Sequence, residues 1–205
     1  MKSWTELYNK QVDEIFYLDN IANHKVFLNS ILKEKPRRTL EVGVGTGTFS
    51  IFLSHLGIEA HALDSNPTII EVAKRTANKF NVNVKFIVGN AFNLQESLEA
   101  NFYDVIFHQG LLEHFLDIDI VSLLRQQLRL GKVVIFSVPT PEYGKQDLGN
   151  ERLLSPFEWL DLLRTYDFNV IECCTYFDVL SRPKILKLPK YVRFKHLAFM
   201  VKLTQ

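Results

Sequence analysis

Cysteine is scarce in this chain: of 205 residues, only Cys173 and Cys174 carry thiols. Neighbours in sequence cannot clamp a loop, so no disulfide framework holds the fold. On a strand the two would point to opposite faces, which makes them poor joint metal ligands. The histidines at 24, 55, 61, 108, 114 and 196 show no paired ligand spacing, so no metal site is expected. Charge of one sign is also lacking. The 24 basic and 23 acidic residues leave a net +1, too little field to favour a nucleic-acid partner. No run of about 18 apolar residues occurs, so no transmembrane segment is expected. The polar first ten residues lack the apolar centre of a signal peptide, and the cytoplasm is the expected compartment. What remains is a composition with 47% hydrophobic and 23% charged residues. A chain of this length and balance can bury a core without staples.

Strand-like and helix-like segments alternate, which predicts an α/β layered fold with a mostly parallel sheet. Residues 1–35 read as helical, with Ile15, Leu18, Ala22, Val26 and Ile31 at roughly helical spacing, and Lys33–Lys35 and Pro36 closing the segment. Arg38–Val42 reads as a buried strand. In Thr48–Leu56, the residues Phe49, Phe52, Leu53 and Leu56 form one apolar helix face, with Gly57 as the stop. Further strands are expected at Glu59–Leu63, Val84–Val88, Tyr103–Phe107 and Lys132–Val138. Between them, Asn66-Pro67 starts one helix, whose buried face is Ile69, Ala73, Ala77 and Phe80, and Asp117 or Asp119 caps another. Ser155-Pro156-Phe157-Glu158 is a capping box opening the last helix. Phe168–Phe177 and Lys195–Thr204 are expected to pair as a long-connected hairpin at one sheet edge.

Glycines between a strand and a helix N-terminus let a ligand approach free backbone N–H groups. The dinucleotide pattern G-x-G-x-x-G fails here: counted from Gly43 its third position is Thr48, and counted from Gly45 it is Ser50. The loop reads instead Glu41-x-Gly43-x-Gly45-x-Gly47. This resembles the first motif of the class I methyltransferases that use S-adenosylmethionine (SAM). The resemblance runs over roughly residues 35–205. It implies a Rossmann-like three-layer sandwich whose seven-stranded sheet is mostly parallel with an antiparallel last strand. It also implies that Glu41 lies near the methionine moiety of SAM and that Gly43, Val44, Gly45 and Gly47 cradle that end. Asp64, ending the second strand beside Ser65, can accept hydrogen bonds from two ribose hydroxyls. The resemblance places Asn90 against the adenine amino group and the Ala91 N–H against a ring nitrogen. Phe92 either covers the adenine face or packs as core. Ligands in open α/β sheets bind beyond the strands' carboxyl ends, which puts His108, Gln109 and Gly110 at the cofactor. Leu111-Leu112-Glu113-His114 resembles a segment common in small-molecule and quinone-type members.

Methyl transfer mainly requires that nucleophile, carbon and sulfur be aligned, with a general base for an acidic nucleophile. His108 ranks first for that role, followed by Glu113 and His114, with Asp19 and His24 from the N-terminal segment as outsiders; some family members use no side-chain base. Residues 1–35, with Trp4, Tyr8, Phe16 and Tyr17, are expected to cap the cofactor over a core of residues 36–205. The short stretch Thr140–Leu154 can form part of a substrate wall. The basic run Arg182, Lys184, Lys187, Lys190, Arg193 and Lys195 suits an anionic substrate or a peripheral membrane contact, or is a solvated loop. After the fourth strand the chain lacks both the Asn/Asp-Pro-Pro-aromatic motif of nucleic-acid amino methyltransferases and a cysteine nucleophile. The expectation is a SAM-dependent methyltransferase acting on an O, N or C nucleophile of a small molecule, with S-adenosylhomocysteine (SAH) as product. A non-catalytic SAM-binding protein and a nicotinamide oxidoreductase are the alternatives.

Overall fold

The computed structural model describes residue 6 and residues 12–96, 99–144, 146, 148–181 and 193–205; of 95, 96, 178–181 and 193–197 only the backbone course is described. Two helices come first, α1 (Glu14–Asn23) and α2 (Lys25–Lys33). Then follow β1 (Arg38–Val42), α3 (Thr48–His55), β2 (Glu59–Asp64), α4 (Pro67–Lys79), β3 (Lys85–Val88), β4 (Tyr103–Gln109), α5 (Asp117–Leu130), β5 (Gly131–Pro139), α6 (Pro156–Thr165), β6 (Asn169–Ser181) and β7 (Arg193–Thr204). Short 3-10 segments span Ala91–Glu96, which is kinked at Asn93, Leu112–His114 and Pro141–Tyr143.

The seven strands form one sheet in the order β3-β2-β1-β4-β5-β7-β6. The pairs among β1 to β5 are parallel, and β7 runs antiparallel to both β5 and β6. This is the Rossmann-like sandwich with a reversed last strand. Helices cover both faces because alternate residues of the central strands are apolar on both sides. Leu40, Ile106, Val134 and Phe136 pack with the α5 and α6 residues Leu124 and Trp159. On the other face Val105, Phe107 and Ile135 meet Phe27 and Ile31 of α2 and Phe49 of α3. Chain order reverses between β1 and β4, so the strand ends there splay apart and open a crevice.

Several local expectations need correction. Residues 14–33 are two helices that break at His24, and their buried residues are Phe27, Leu28, Ser30 and Ile31. Ile15 (73% exposed) and Leu18 (66%) point to solvent, so the apolar spacing read across the segment does not mark its inner face. Neither Asp117 nor Asp119 caps α5: Leu116 is the N-cap, with no side-chain cap bond, and both aspartates sit in the first turn. There they still favour the helix by facing its positive end. The other caps match expectation, with Asn66 accepting from the Thr68 N–H and Ser155 forming the reciprocal box with Glu158. Of the aromatic group expected over the cofactor, Trp4 and Tyr8 lie outside the described residues. So do Arg182, Lys184, Lys187 and Lys190, and the side chains of Arg193 and Lys195.

Candidate active site

The loop after β1 turns sharply because its glycines adopt left-handed backbone: φ is +74° at Gly43 and +76° at Gly47. A Cβ on Gly43 would lie 3.2 Å from Leu111 Cδ1, and one on Gly47 would lie 3.2 Å from the Ala73 Cβ. The first glycine therefore keeps the loop close to the β4 end, and the last packs α3 against α4. Gly43 and Gly45 form the wall between two clefts.

The first cleft, of about 200 Å³, is lined by Glu41, Val44, Gln109 and the threonines Thr46 and Thr48 of the loop. Phe16 and Asn20 of α1 and Phe49 of α3 complete it. Glu41 is buried, and one carboxylate oxygen accepts from both the Ser50 N–H (3.0 Å) and its hydroxyl. Burial pushes its pKa up to about 8, with the nearby Asp64 adding to the rise and the Ser50 bonds opposing it. A cationic ligand group entering this cleft would offset that desolvation and hold the carboxylate charged.

The second cleft, of about 320 Å³, lies across the loop and mixes polar and apolar walls. Asp64, Ser65, Asn90, Ala91, Phe92 and Gly110 all line it. The Asp64 Oδ1 accepts from the Asn66 N–H at 2.9 Å. Burial raises its pKa, opposed by the N–H groups of Asn66, Gly45 and Ser65. The Asn90 amide oxygen accepts from the Phe92 N–H at 2.9 Å, so it serves its own turn as well as the cleft. Phe92 meets Phe115 edge-on, with ring centroids 5.3 Å apart, and forms part of the wall and of the core together.

Four expected site residues line neither cleft: Gly47, His108, Glu113 and His114. The reason for His108 is strand alternation. Phe107 and Gln109 face α2 and the first cleft, so His108 projects to the opposite face. It is fully buried there, stacked on Phe136 with centroids 5.6 Å apart. The Gln127 amide is its polar neighbour, although neither side chain reaches good hydrogen-bond geometry among the described residues. Burial lowers its pKa to about 3. Glu113 (3% exposed) is buried below Gly110, with Oε2 lacking a hydrogen-bond partner among the described residues. Desolvation lifts its pKa to about 8, so at neutral pH it is mostly the neutral acid and a poor base. His114 Nδ1 lies 2.9 Å from the Asn150 side-chain oxygen, and the Arg152 N–H donates to the Glu113 carbonyl at 2.8 Å. These contacts tie residues 150–152 to the turn after β4.

Comparison with known proteins accounts for the frame. Residues 39–132 match the family model described as a methyltransferase domain. The ubiquinone biosynthesis O-methyltransferase of Mesorhizobium japonicum is 35% identical over 98 residues, which are 47% of this chain and 39% of that enzyme. A protein of Pyrococcus horikoshii OT3 superposes with a TM-score of 0.75 at 16% identity, over 100% of this chain and 99% of that one. The magnesium protoporphyrin IX methyltransferase of Synechocystis, solved with bound SAH, superposes with a TM-score of 0.65 at 15% identity, over 98% and 92% of the two chains. Residues 39–132 are therefore similar to a methyltransferase domain, and the whole chain shares its fold with the solved methyltransferases. The match spans 39% and 61% of the length of two curated relatives, less than two thirds of each. The relatives differ in acceptor: others bear the names of a protein glutamine N5-methyltransferase and an rRNA uracil C5-methyltransferase.

Sequence reasoning named Phe16 in the expected cap but missed Asn20, its neighbour in the first cleft. Phe16 and Asn20 stand four residues apart and so share one helix face. That face carried a signal, but the aliphatic spacing on the other side of α1 masked it. Thr46 and Thr48, whose hydroxyls lie 2.7 Å apart, were within the motif itself.

Proposed function

We propose that this chain binds SAM astride the glycine loop and transfers the methyl group to an O, N or C nucleophile of a small molecule. The observation that carries the reading is the pair of clefts sharing Gly43 and Gly45 as their common wall. A ligand with two unlike ends joined by a narrow middle suits that shape. The methionine end fits the first cleft, where Glu41 can meet its ammonium group. The ribose and adenine fit the second, with Asp64 accepting from the ribose hydroxyls and Ala91, Asn90 and Phe92 around the base. SAM supplies a methyl group already activated on a sulfonium, so the protein's task is alignment and exclusion of water. Residues 1–35 act as a cap on the core of 36–205, a role supported by Phe16 and Asn20 reaching the first cleft. His108, sealed on the far face of β4, has no part in this scheme.

Isothermal titration tests the reading. The folded chain is expected to bind SAM and SAH, and no heat from an intact protein would sink it. Asp64→Ala removes a charged acceptor worth roughly 1.5–3 kcal/mol, so SAM affinity should fall about 10- to 100-fold.

A further inference from the structure

Next to the second cleft runs a groove of about 630 Å³ that the SAM reading leaves unused. Phe92 lines both and so stands as their partition. Asn93 follows it, and the rest of the lining is a single stripe of α5: Ile118, Val121, Ser122, Arg125, Gln126 and Arg129. Residues recurring three and four apart share one helix face. From Ile118 to Arg129 that face is about 16 Å long, at a rise of about 1.5 Å per residue. The volume falls in the range of small-molecule sites.

The groove has two unlike ends. At the start of α5, Ile118 is 65% exposed, and with the buried Val121 and the half-buried Phe92 it makes an apolar end. Covering such a side chain is favourable. At the other end stand Arg125 and Arg129, one turn apart on the same face. Arg125 is exposed and makes no ion pair or hydrogen bond among the described residues. Between the ends, the Gln126 amide reaches the Ser122 hydroxyl only at 3.4 Å, so both remain able to hydrogen-bond a ligand. The acid nearest the apolar end, Asp117, is already held by Arg152 at 2.6 Å.

We propose that this groove is a second ligand site, for a small molecule with an apolar body and one anionic end, and that its occupancy is felt in the second cleft through Phe92. The coupling, though not the site, rests on the SAM reading above. The anionic end lies between Arg125 and Arg129, whose planar guanidiniums each offer paired N–H donors. The body covers Ile118, Val121 and the groove side of Phe92. A molecule seated there restrains a ring that the adenine would otherwise have to order alone, so each ligand tightens the other by the same factor.

Decanoate, kept below its micelle concentration, is a suitable probe, titrated into the full chain with and without saturating SAH. It should bind, move the methyl resonances of Ile118 and Val121, and tighten SAH at least twofold. Decanol, which lacks the charge, and inorganic phosphate, which lacks the body, should each bind at least tenfold more weakly than decanoate. Arg125→Gln and Ile118→Ser change exposed side chains and so spare the fold. They should weaken decanoate at least tenfold and fivefold, and leave the affinity for SAH alone within twofold. No decanoate binding by the folded wild type, displacement of decanoate by SAH, equal SAH affinity with and without decanoate, or variants that bind decanoate like the wild type would each overturn the proposal. Sedimentation of the chain with phosphatidylglycerol vesicles, without decanoate binding, would overturn it in favour of a membrane surface. Failure of the folded wild type to bind SAH would sink the cofactor reading instead. The decanoate titration of the free chain and its variants would then still decide the site.

Discussion

At the scale of single residues, the informative side chains are carboxyls forced underground. Glu113 has almost no contact with water, and its pKa stands near 8 against 4.5 when free. A carboxyl whose pKa is raised by folding contributes its full stability below the free value, and loses it as pH climbs toward the folded one. Between about pH 5 and 8 the unfolded chain has released this proton and the folded chain has not, so stability falls with a slope approaching 1.4 kcal/mol per pH unit. Glu113→Gln cannot titrate. Its melting temperature relative to wild type is therefore expected to rise steadily from pH 5 to pH 8. A difference that stays flat across that window would show that the carboxyl is ionised in the fold. Glu41 shares the direction of the shift, but it lines a cleft and would respond to ligand as well, which makes Glu113 the cleaner test. His108 teaches a related lesson. Its position at a strand end was legible, but alternation allows only one of His108 and Gln109 to face the cleft, and the period of two could have decided between them.

At the scale of elements, what could be read from the chain depended on the strength of the local signal. Arg38–Val42 was read to the residue because Pro36 before it and the glycine loop after it bound a short segment that carries Leu40 and Val42. The caps at Asn66 and Ser155 were legible because their chemistry is local: a side-chain oxygen meets an N–H two or three residues away. The break at His24 was not. No glycine or proline marks it, and the exposed Ile15 and Leu18 mimic an inner face. Only the packing of Phe27 and Ile31 against the sheet selects the true one, and that is tertiary information. Since caps act locally, Ser155→Ala should lower stability by about 1 kcal/mol through α6 alone. Chemical denaturation would measure that loss, while titration should find SAM affinity unchanged, because Ser155 lines neither cleft. A coupled loss of both would mean that α6 helps to set the site.

At the scale of the whole molecule, strand order makes the site. β1 and β4 are neighbours whose onward connections leave in opposite directions, and the glycine loop fills the gap this creates. Every part of the double cleft is therefore held by a different element: α1 through Phe16 and Asn20, β2 through Asp64, β4 through Gln109, and the turn at Ala91–Glu96 through Phe92. A ligand spanning them ties together segments far apart in the chain and binds only when all are in place. Its binding free energy then appears almost wholly as stability, about 2.7 kcal/mol when free ligand is at 100 times Kd. For a protein of this length each kcal/mol moves Tm by roughly 2–4 °C, so SAH should raise Tm by about 5–10 °C. NAD at the same concentration should move it by less than about 1 °C, because a Gly-x-Gly-x-Gly loop lacks the spacing that seats a pyrophosphate. Equal shifts from the two ligands would return the site to an unspecified nucleotide pocket. A shift confined to SAH would place the specificity in the loop that separates the clefts.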